Sequence, residues 1–68
     1  MKKEELDSLL GKNKIEAINF AKERGFTIDF HHRNAIITKR LVTKHIHVCL
    51  IDGIVVGWQL DNPYDLGE

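Results

Sequence analysis

The stretch HIHVCLIDGIVVGWQL, residues 45–60, decides the fold of this chain. Its first half alternates polar and apolar residues, with Ile46, Val48 and Leu50 on one side, which is the pattern of a half-buried β-strand. An Asp-Gly pair then gives a strong tight-turn signal, and the apolar run after it is typical of a returning strand. The stretch therefore predicts an antiparallel hairpin.

The turn leaves open which face of the hairpin Trp58 occupies. A two-residue turn would place Val56 and Trp58 on the side of Cys49 and His47, whereas a bulged three-residue turn would reverse that parity. In both arrangements one face carries more apolar area than a solvated face needs. Ile54, Val56 and Trp58 are therefore candidate residues of an interface on the open sheet face.

Two helical segments precede the hairpin. EELDSLLGKN has leucines at helical spacing and closes on Gly11, which predicts one or two helical turns. KIEAINFAKERG follows Asn13, which forms a capping-box pair with Glu16 in the first turn, and predicts the main helix. We expect one apolar stripe of this helix to face the sheet, made of Ile15, Ile18 and Ala21 and widened by Ala17 and Phe20.

FTIDFHH, residues 26–32, alternates β-branched and aromatic residues and predicts a strand. Phe26, Ile28 and Phe30 would face the helix. A long connection, residues 33–44, contains no convincing helix and joins this strand to the hairpin. The sequence thus predicts one α+β domain, residues 1–68, in which one main helix packs on a small mixed sheet.

Composition limits the function classes. The 68 residues carry ten basic and ten acidic side chains, so the net charge disfavours a dedicated nucleic-acid binder. No apolar run has membrane-spanning length. The single Cys49 excludes an intrachain disulfide and, with no secretory signal at the start, indicates the cytoplasm. Charge is nevertheless uneven, because residues 31–47 hold bases and no acid, whereas residues 61–68 hold acids and no base.

Two motifs resemble the potato inhibitor type I family of serine-protease inhibitors and its bacterial relatives. LLGKNKIEA resembles the opening and helix of that family, and ITKRLVTKHIHVCLIDGIVV resembles its binding loop, following strand, turn and Val-Val strand. The resemblance covers about residues 9–60. It implies the inhibitor fold, with a loop over residues 36–44 that enters a protease cleft like a substrate.

The resemblance assigns a role to each residue of the partner-binding loop. Thr38 takes the place of the threonine before the specificity residue, Lys39 becomes that residue, and Arg40 follows the scissile bond, with Ile37 and Leu41 on either side. A lysine at this position implies proteases with an acidic primary pocket. The family's acidic residue and bracing arginines are replaced here by Arg40, Val42 and His45, so we expect a loop without a charge-assisted clamp, and hence a mobile one.

The predicted function is noncatalytic protein binding through this loop, with a serine protease as the partner that the resemblance implies. One alternative is an oligomerising or regulatory module, including a homo-oligomer, that uses the open sheet face around Trp58. A second is weak nucleic-acid binding through Arg33, Lys39, Arg40 and Lys44. Paired carboxylates, phosphate loops and metal motifs are lacking, so we predict no enzyme activity and no cofactor.

The His45-x-His47-x-Cys49 pattern has two interpretations. It places two imidazoles and a thiol on one face of a strand, with His31 or His32 as potential neighbours, and zinc accepts such ligands. Same-face residues lie roughly 6–7 Å apart along a strand, so two could share a metal and three would be stretched. The sequence favours half-exposed histidines on an amphipathic strand, and no metal.

Overall fold

Three β-strands form a mixed sheet in the computed structural model, which describes residues 1–32, 37–38 and 40–67. β1 is Thr27–His32, β2 is His45–Ile51 and β3 is Ile54–Leu60. β2 lies in the centre, parallel to β1 and antiparallel to β3. The small mixed sheet and the α+β class are therefore confirmed.

Two α-helices precede the sheet, α1 over Lys3–Asp7 and α2 over Lys14–Glu23, and a 3-10 turn, Pro63–Asp65, follows it. The predicted capping box is present, because the Asn13 side chain accepts from the Glu16 amide and the Glu16 carboxylate accepts from the Asn13 amide. These two bonds satisfy amides that have no partner within the helix, and they fix where α2 begins.

The core lies between the helices and one face of the sheet. Leu6 and Leu9 from the α1 region pack with Phe20 of α2 against Ile46 and Val48 of β2. The core is completed by the buried residues Ala17, Ala21, Val55 and Leu60, and Phe26, Ile28, Phe30, Leu50 and Trp58 pack partly against it. The strand residues predicted to face the helix therefore do so.

The predicted stripe of α2 is partly wrong. Ala17, Phe20 and Ala21 are buried, but Ile15 is 71% exposed and Ile18 is 40% exposed. Positions 17, 20 and 21 follow helical i, i+3, i+4 spacing, and the two alanines are small enough to let the helix backbone approach the sheet closely. Close approach along the alanine face turns Ile15 away from the core.

A β-bulge decides which face of the hairpin Trp58 occupies, a question that the sequence left open. Ile51 pairs with Ile54 and Leu50 with Val55 across a two-residue turn, but the register then shifts so that Cys49 pairs with Gly57 and Val48 with Trp58. The extra residue, Val56, reverses the alternation. Trp58 therefore lies on the helix side of the sheet, where its indole Nε1 donates to an Asp7 carboxylate oxygen at 3.0 Å.

Among the described residues, no helix combines the length and apolar composition needed to cross a membrane.

Candidate functional site

A single carboxylate holds the loop that precedes β2. Asp61 accepts a hydrogen bond from the Arg40 amide at 3.2 Å on one oxygen and from the Val42 amide at 2.5 Å on the other. Its own amide donates to the His45 carbonyl at 3.0 Å, which extends the β2–β3 ladder by one residue. Asp61 is thus positioned by the sheet and in turn positions the loop.

Asp61 is only 1% exposed, and it is charged. The hydrogen bond from His47, followed by those from the Val42 and Arg40 amides, lowers its carboxyl pKa from 3.8 to about 2, even though burial acts in the opposite direction. A buried carboxylate is tolerated when donors satisfy both of its oxygens. The loop amides are therefore part of what keeps this charge stable.

Leu41 stands between the two clamped amides and projects into solvent. Its side chain is 62% exposed, and its φ of 59° lies in the left-handed region. For a residue with a Cβ this conformation costs roughly 1–2 kcal/mol, so the surrounding contacts must maintain it. The Asn62 side-chain amide adds a long contact of 3.5 Å to the Leu41 carbonyl.

The base of the loop has a second clamp of the same kind. The Lys44 amide donates to an Asp65 carboxylate oxygen at 2.6 Å, and Lys44 also has a positive φ of 53°. The acidic segment after β3 thus holds backbone amides of residues 40–44. The clamp that the resemblance would imply, an acidic loop residue held by arginines, is replaced by one of another kind, in which acids from the C-terminal segment bind loop amides, and the sequence did not reveal it.

The sheet face opposite the helices, here called the histidine face, consists of Thr27, Asp29 and His31 on β1 and His45, His47 and Cys49 on β2. His47 lies at its centre and is 5% exposed, so the expectation of a half-exposed side chain is wrong for His47, whereas His45 and His31 are half-buried. Its ring lies 5.0 Å from that of His31 and 4.8 Å from that of His45, centroid to centroid.

A chain of hydrogen bonds crosses this face. His47 Nε2 lies 2.7 Å from Asp61 Oδ1, and His47 Nδ1 lies 2.8 Å from His31 Nε2. Because a carboxylate only accepts, His47 donates through Nε2. Its Nδ1 accepts from His31 when the His47 ring is neutral and donates to His31 when that ring is protonated. The chain runs from His31 through His47 to Asp61 and the loop amides.

The third imidazole makes a separate pair. His45 Nε2 lies 2.8 Å from Asp29 Oδ2, and its Nδ1 is hydrogen-bonded to the Thr27 hydroxyl. The Nε2–H therefore donates to the carboxylate. These contacts orient Asp29 on β1 beside His31.

The predicted loop residues lie partly within the described chain. Arg40 and Leu41 are exposed at the clamp, Thr38 is exposed and Ile37 is half-buried. Lys39, the predicted specificity residue, and Ile36, the start of the predicted loop, lie outside the described residues. Arg33, from the nucleic-acid alternative, also lies outside them, and that alternative stays a prediction.

The predicted sheet-face residues occupy different places. Ile54 pairs with Ile51 next to the turn, Val56 is the exposed bulge residue, and Trp58 is half-buried on the helix side. The strand register places Ile54 and Trp58 on opposite faces of the sheet. The oligomerisation alternative stays a prediction.

Comparisons with known proteins were made at three levels. No protein-family model, curated protein or solved structure matches this chain. Its function is therefore argued from its own contacts.

Sequence reasoning missed Asp61, Asp65 and Asp29 as members of the site. Asp61 and Asp65 lie about twenty residues after the amides that they hold, with sequence separations of 19 and 21 for Val42 and Lys44. The available signal was charge, since an acid-free segment and a base-free tail occur in one small domain. For Asp29, the signal was its alternation with His31 on a strand that pairs in parallel with β2.

Proposed function

We propose that this chain is a small noncatalytic protein-binding module that binds a partner protein through the loop of residues 36–44, of which the structure describes residues 37–38 and 40–44. The observation that carries the proposal is the clamp itself, in which the Arg40 and Val42 amides bind the Asp61 carboxylate with the exposed Leu41 between them. A loop whose backbone is already fixed loses little conformational entropy on binding, so more of its contact energy appears as affinity.

A serine protease is the partner class that we propose first. Support comes from the potato-inhibitor-like order of elements, which is helix, strand, loop and hairpin, and from the position of the loop just before β2. The donors and acceptors of the bracing are exchanged relative to the family pattern. Here the loop supplies donor amides and the segment after the hairpin supplies the acid, whereas in the family the loop supplies the acid. The clamped amides, those of Arg40, Val42 and Lys44, all lie on the C-terminal side of the Lys39–Arg40 bond, so the clamp would hold that side of a cleaved loop in place.

The backbone at Leu41 is left-handed, and at this residue the loop differs from the extended backbone of a substrate-like loop. Leu41 is part of a bent tip, and the bend directs its side chain and that of Val42 (45% exposed) outward. A partner protein could bury these exposed apolar side chains, and a backbone that is already held in place lowers the entropy cost of doing so. We propose the cytoplasm as the location, in line with the single free cysteine.

The test is slow-dissociating inhibition of subtilisin-like and trypsin-like proteases, measured by progress curves with the intact chain. Leu41→Gly removes the exposed side chain at a φ that glycine adopts freely, so the fold is kept and inhibition is expected to weaken at least tenfold. Lys39→Gly, at the position that the resemblance assigns to specificity, is expected to abolish inhibition.

Ile15→Ala is the matched control, because it removes an equally exposed aliphatic side chain from α2, away from the loop. It should leave inhibition unchanged. Rapid cleavage of the loop without inhibition would contradict the protease proposal. Equal loss of inhibition in Leu41→Gly and Ile15→Ala would show that general surface hydrophobicity, and not the loop, carries binding.

A further inference from the structure

Three side chains on the histidine face bring potential metal ligands together. Asp29, His31 and His47 each offer one ligand atom, and these atoms all lie within 4.8 Å of one another. Two imidazoles and one carboxylate are a donor set that suits zinc and neighbouring transition metals. We propose that this face binds one divalent ion of the zinc class, a function independent of the loop's partner.

The parallel register of β1 and β2 creates this group. Asp29 pairs with His47 across the two strands, and His31 follows two residues later on the same face of β1. Cys49, which the sequence pattern suggested, is not a member of the group. Ligands from two neighbouring strands avoid the stretched spacing of three same-face residues on one strand.

The lone pairs can converge on one point. His47 donates through Nε2 to Asp61, so in the neutral ring its Nδ1 presents a lone pair toward His31 Nε2, 2.8 Å away. Metal-binding imidazoles are neutral, and between two neutral rings this gap is filled by one proton, carried on His31 Nε2. Moving that proton to Nδ1 of the same neutral ring leaves two lone pairs facing each other, with no net change of charge.

Little movement is needed to admit the ion. Zinc–nitrogen bonds of roughly 2.0–2.1 Å in a tetrahedral site separate two nitrogens by about 3.3 Å. The two rings must therefore open by about half an ångström, and His31 is half-buried at the edge of the face, where it has room to move. Three protein ligands leave a fourth position for water or another ligand.

The imidazole of His47 and the carboxylate of Asp29 each have a hydrogen-bond partner outside the proposed metal site. Asp61 accepts from the His47 nitrogen that faces away from the site, and His45 donates to the Asp29 carboxylate at 2.8 Å. A metal-binding histidine commonly donates its other N–H to a carboxylate, which fixes the tautomer and raises the basicity of the ligand nitrogen. The two carboxylates also balance the charge of a divalent ion.

The test is titration of the intact chain with zinc in competition with a chromophoric chelator, and with cobalt(II), whose visible absorption reports a tetrahedral site. We expect one ion per chain and a rise in Tm with zinc. His31→Gln should weaken zinc binding at least tenfold while preserving the metal-free fold, since His31 lies at the edge of the sheet.

Two variants act as controls. His32→Gln changes the neighbouring exposed imidazole, which lies on the other face of β1, and Cys49→Ser removes the only thiol. Both should bind zinc like the wild type. The proposal is overturned if the wild type binds no zinc at millimolar concentration, if His31→Gln binds as well as His32→Gln, or if Cys49→Ser abolishes binding.

Discussion

At Asp61, one carboxylate accepts hydrogen bonds from an imidazole and from two loop amides, so its charge is linked to the folded state. Its pKa is about 2 in the folded chain, against an ordinary value of 3.8. Between these two values the unfolded chain binds more protons than the folded chain. Protonation therefore favours unfolding as the pH falls through this range.

The Asp61→Asn variant is expected to have a lower free energy of unfolding than the wild type at pH 7. The neutral amide of asparagine cannot accept hydrogen bonds from all three donors as the charged carboxylate does. The stability difference should be fully present above about pH 4 and should shrink as the pH falls toward 2, where the wild-type carboxyl also becomes neutral. Urea unfolding of both chains between pH 2 and pH 7 measures this difference.

All other titrating groups are common to the two chains, so the difference in stability between them isolates the contribution of Asp61. A stability difference that stays constant from pH 7 to pH 2 would show that Asp61 contributes through shape and not through charge.

At the scale of elements, α2 shows why apolar residues alone do not locate a helix face. The largest apolar residues of α2 are two isoleucines and a phenylalanine, but the residues buried in the core are Phe20, Ala17 and Ala21. Leu6 and Leu9 already fill the space beside the sheet, so the small alanine side is the one that packs closely. Arg24 stacks over the Phe20 ring, with 3.9 Å between the guanidinium carbon and the ring centroid.

Substitutions on α2 test this orientation. Phe20→Ala should lower the free energy of unfolding by about 3–5 kcal/mol, the usual cost of emptying a buried aromatic site. Ile15→Ala should change it by less than about 0.5 kcal/mol, since the side chain is exposed and alanine favours helix. Chemical denaturation monitored by Trp58 fluorescence measures both, and similar losses in the two variants would contradict the orientation of α2.

The hairpin shows a second limit of sequence reasoning. Alternation and the Asp-Gly pair predict β2, β3 and a tight turn between them, and all three are present. The side on which Trp58 lies could not be predicted, because a single bulge residue at Val56 reverses the parity of the strand beyond it. Local sequence patterns have no strong signal for such an insertion.

At the scale of the whole molecule, the candidate sites depend on contacts that are distant in the sequence. The loop was predicted from local features, namely a long connection without helix signals. The clamp that holds it could not be, because Asp61 reaches the loop only after β3 has paired along β2. The histidine face likewise requires the parallel pairing of β1 with β2, which the sequence presented only as one option.

Asp61 joins these two sites. One of its oxygens accepts from both His47 and the Arg40 amide, and the other accepts from Val42. A zinc ion on His47 Nδ1 would fix the tautomer that donates to Asp61 and make that N–H a stronger donor. Metal binding and the clamped loop should therefore stabilise each other, since coupling between two binding equilibria is reciprocal.

Asp61→Asn is accordingly expected to weaken zinc binding by about 10- to 100-fold, the usual effect of removing the outer partner of a metal-binding histidine. Asp65→Asn is the matched control, because Asp65 also holds a loop amide, that of Lys44, but its side chain has no described contact with an imidazole. It should change zinc affinity little. In the wild type, zinc should also slow hydrogen exchange at the Arg40 and Val42 amides. Equal losses of zinc affinity in the two variants would mean that general loosening of the loop, and not the His47–Asp61 bond, connects the two sites.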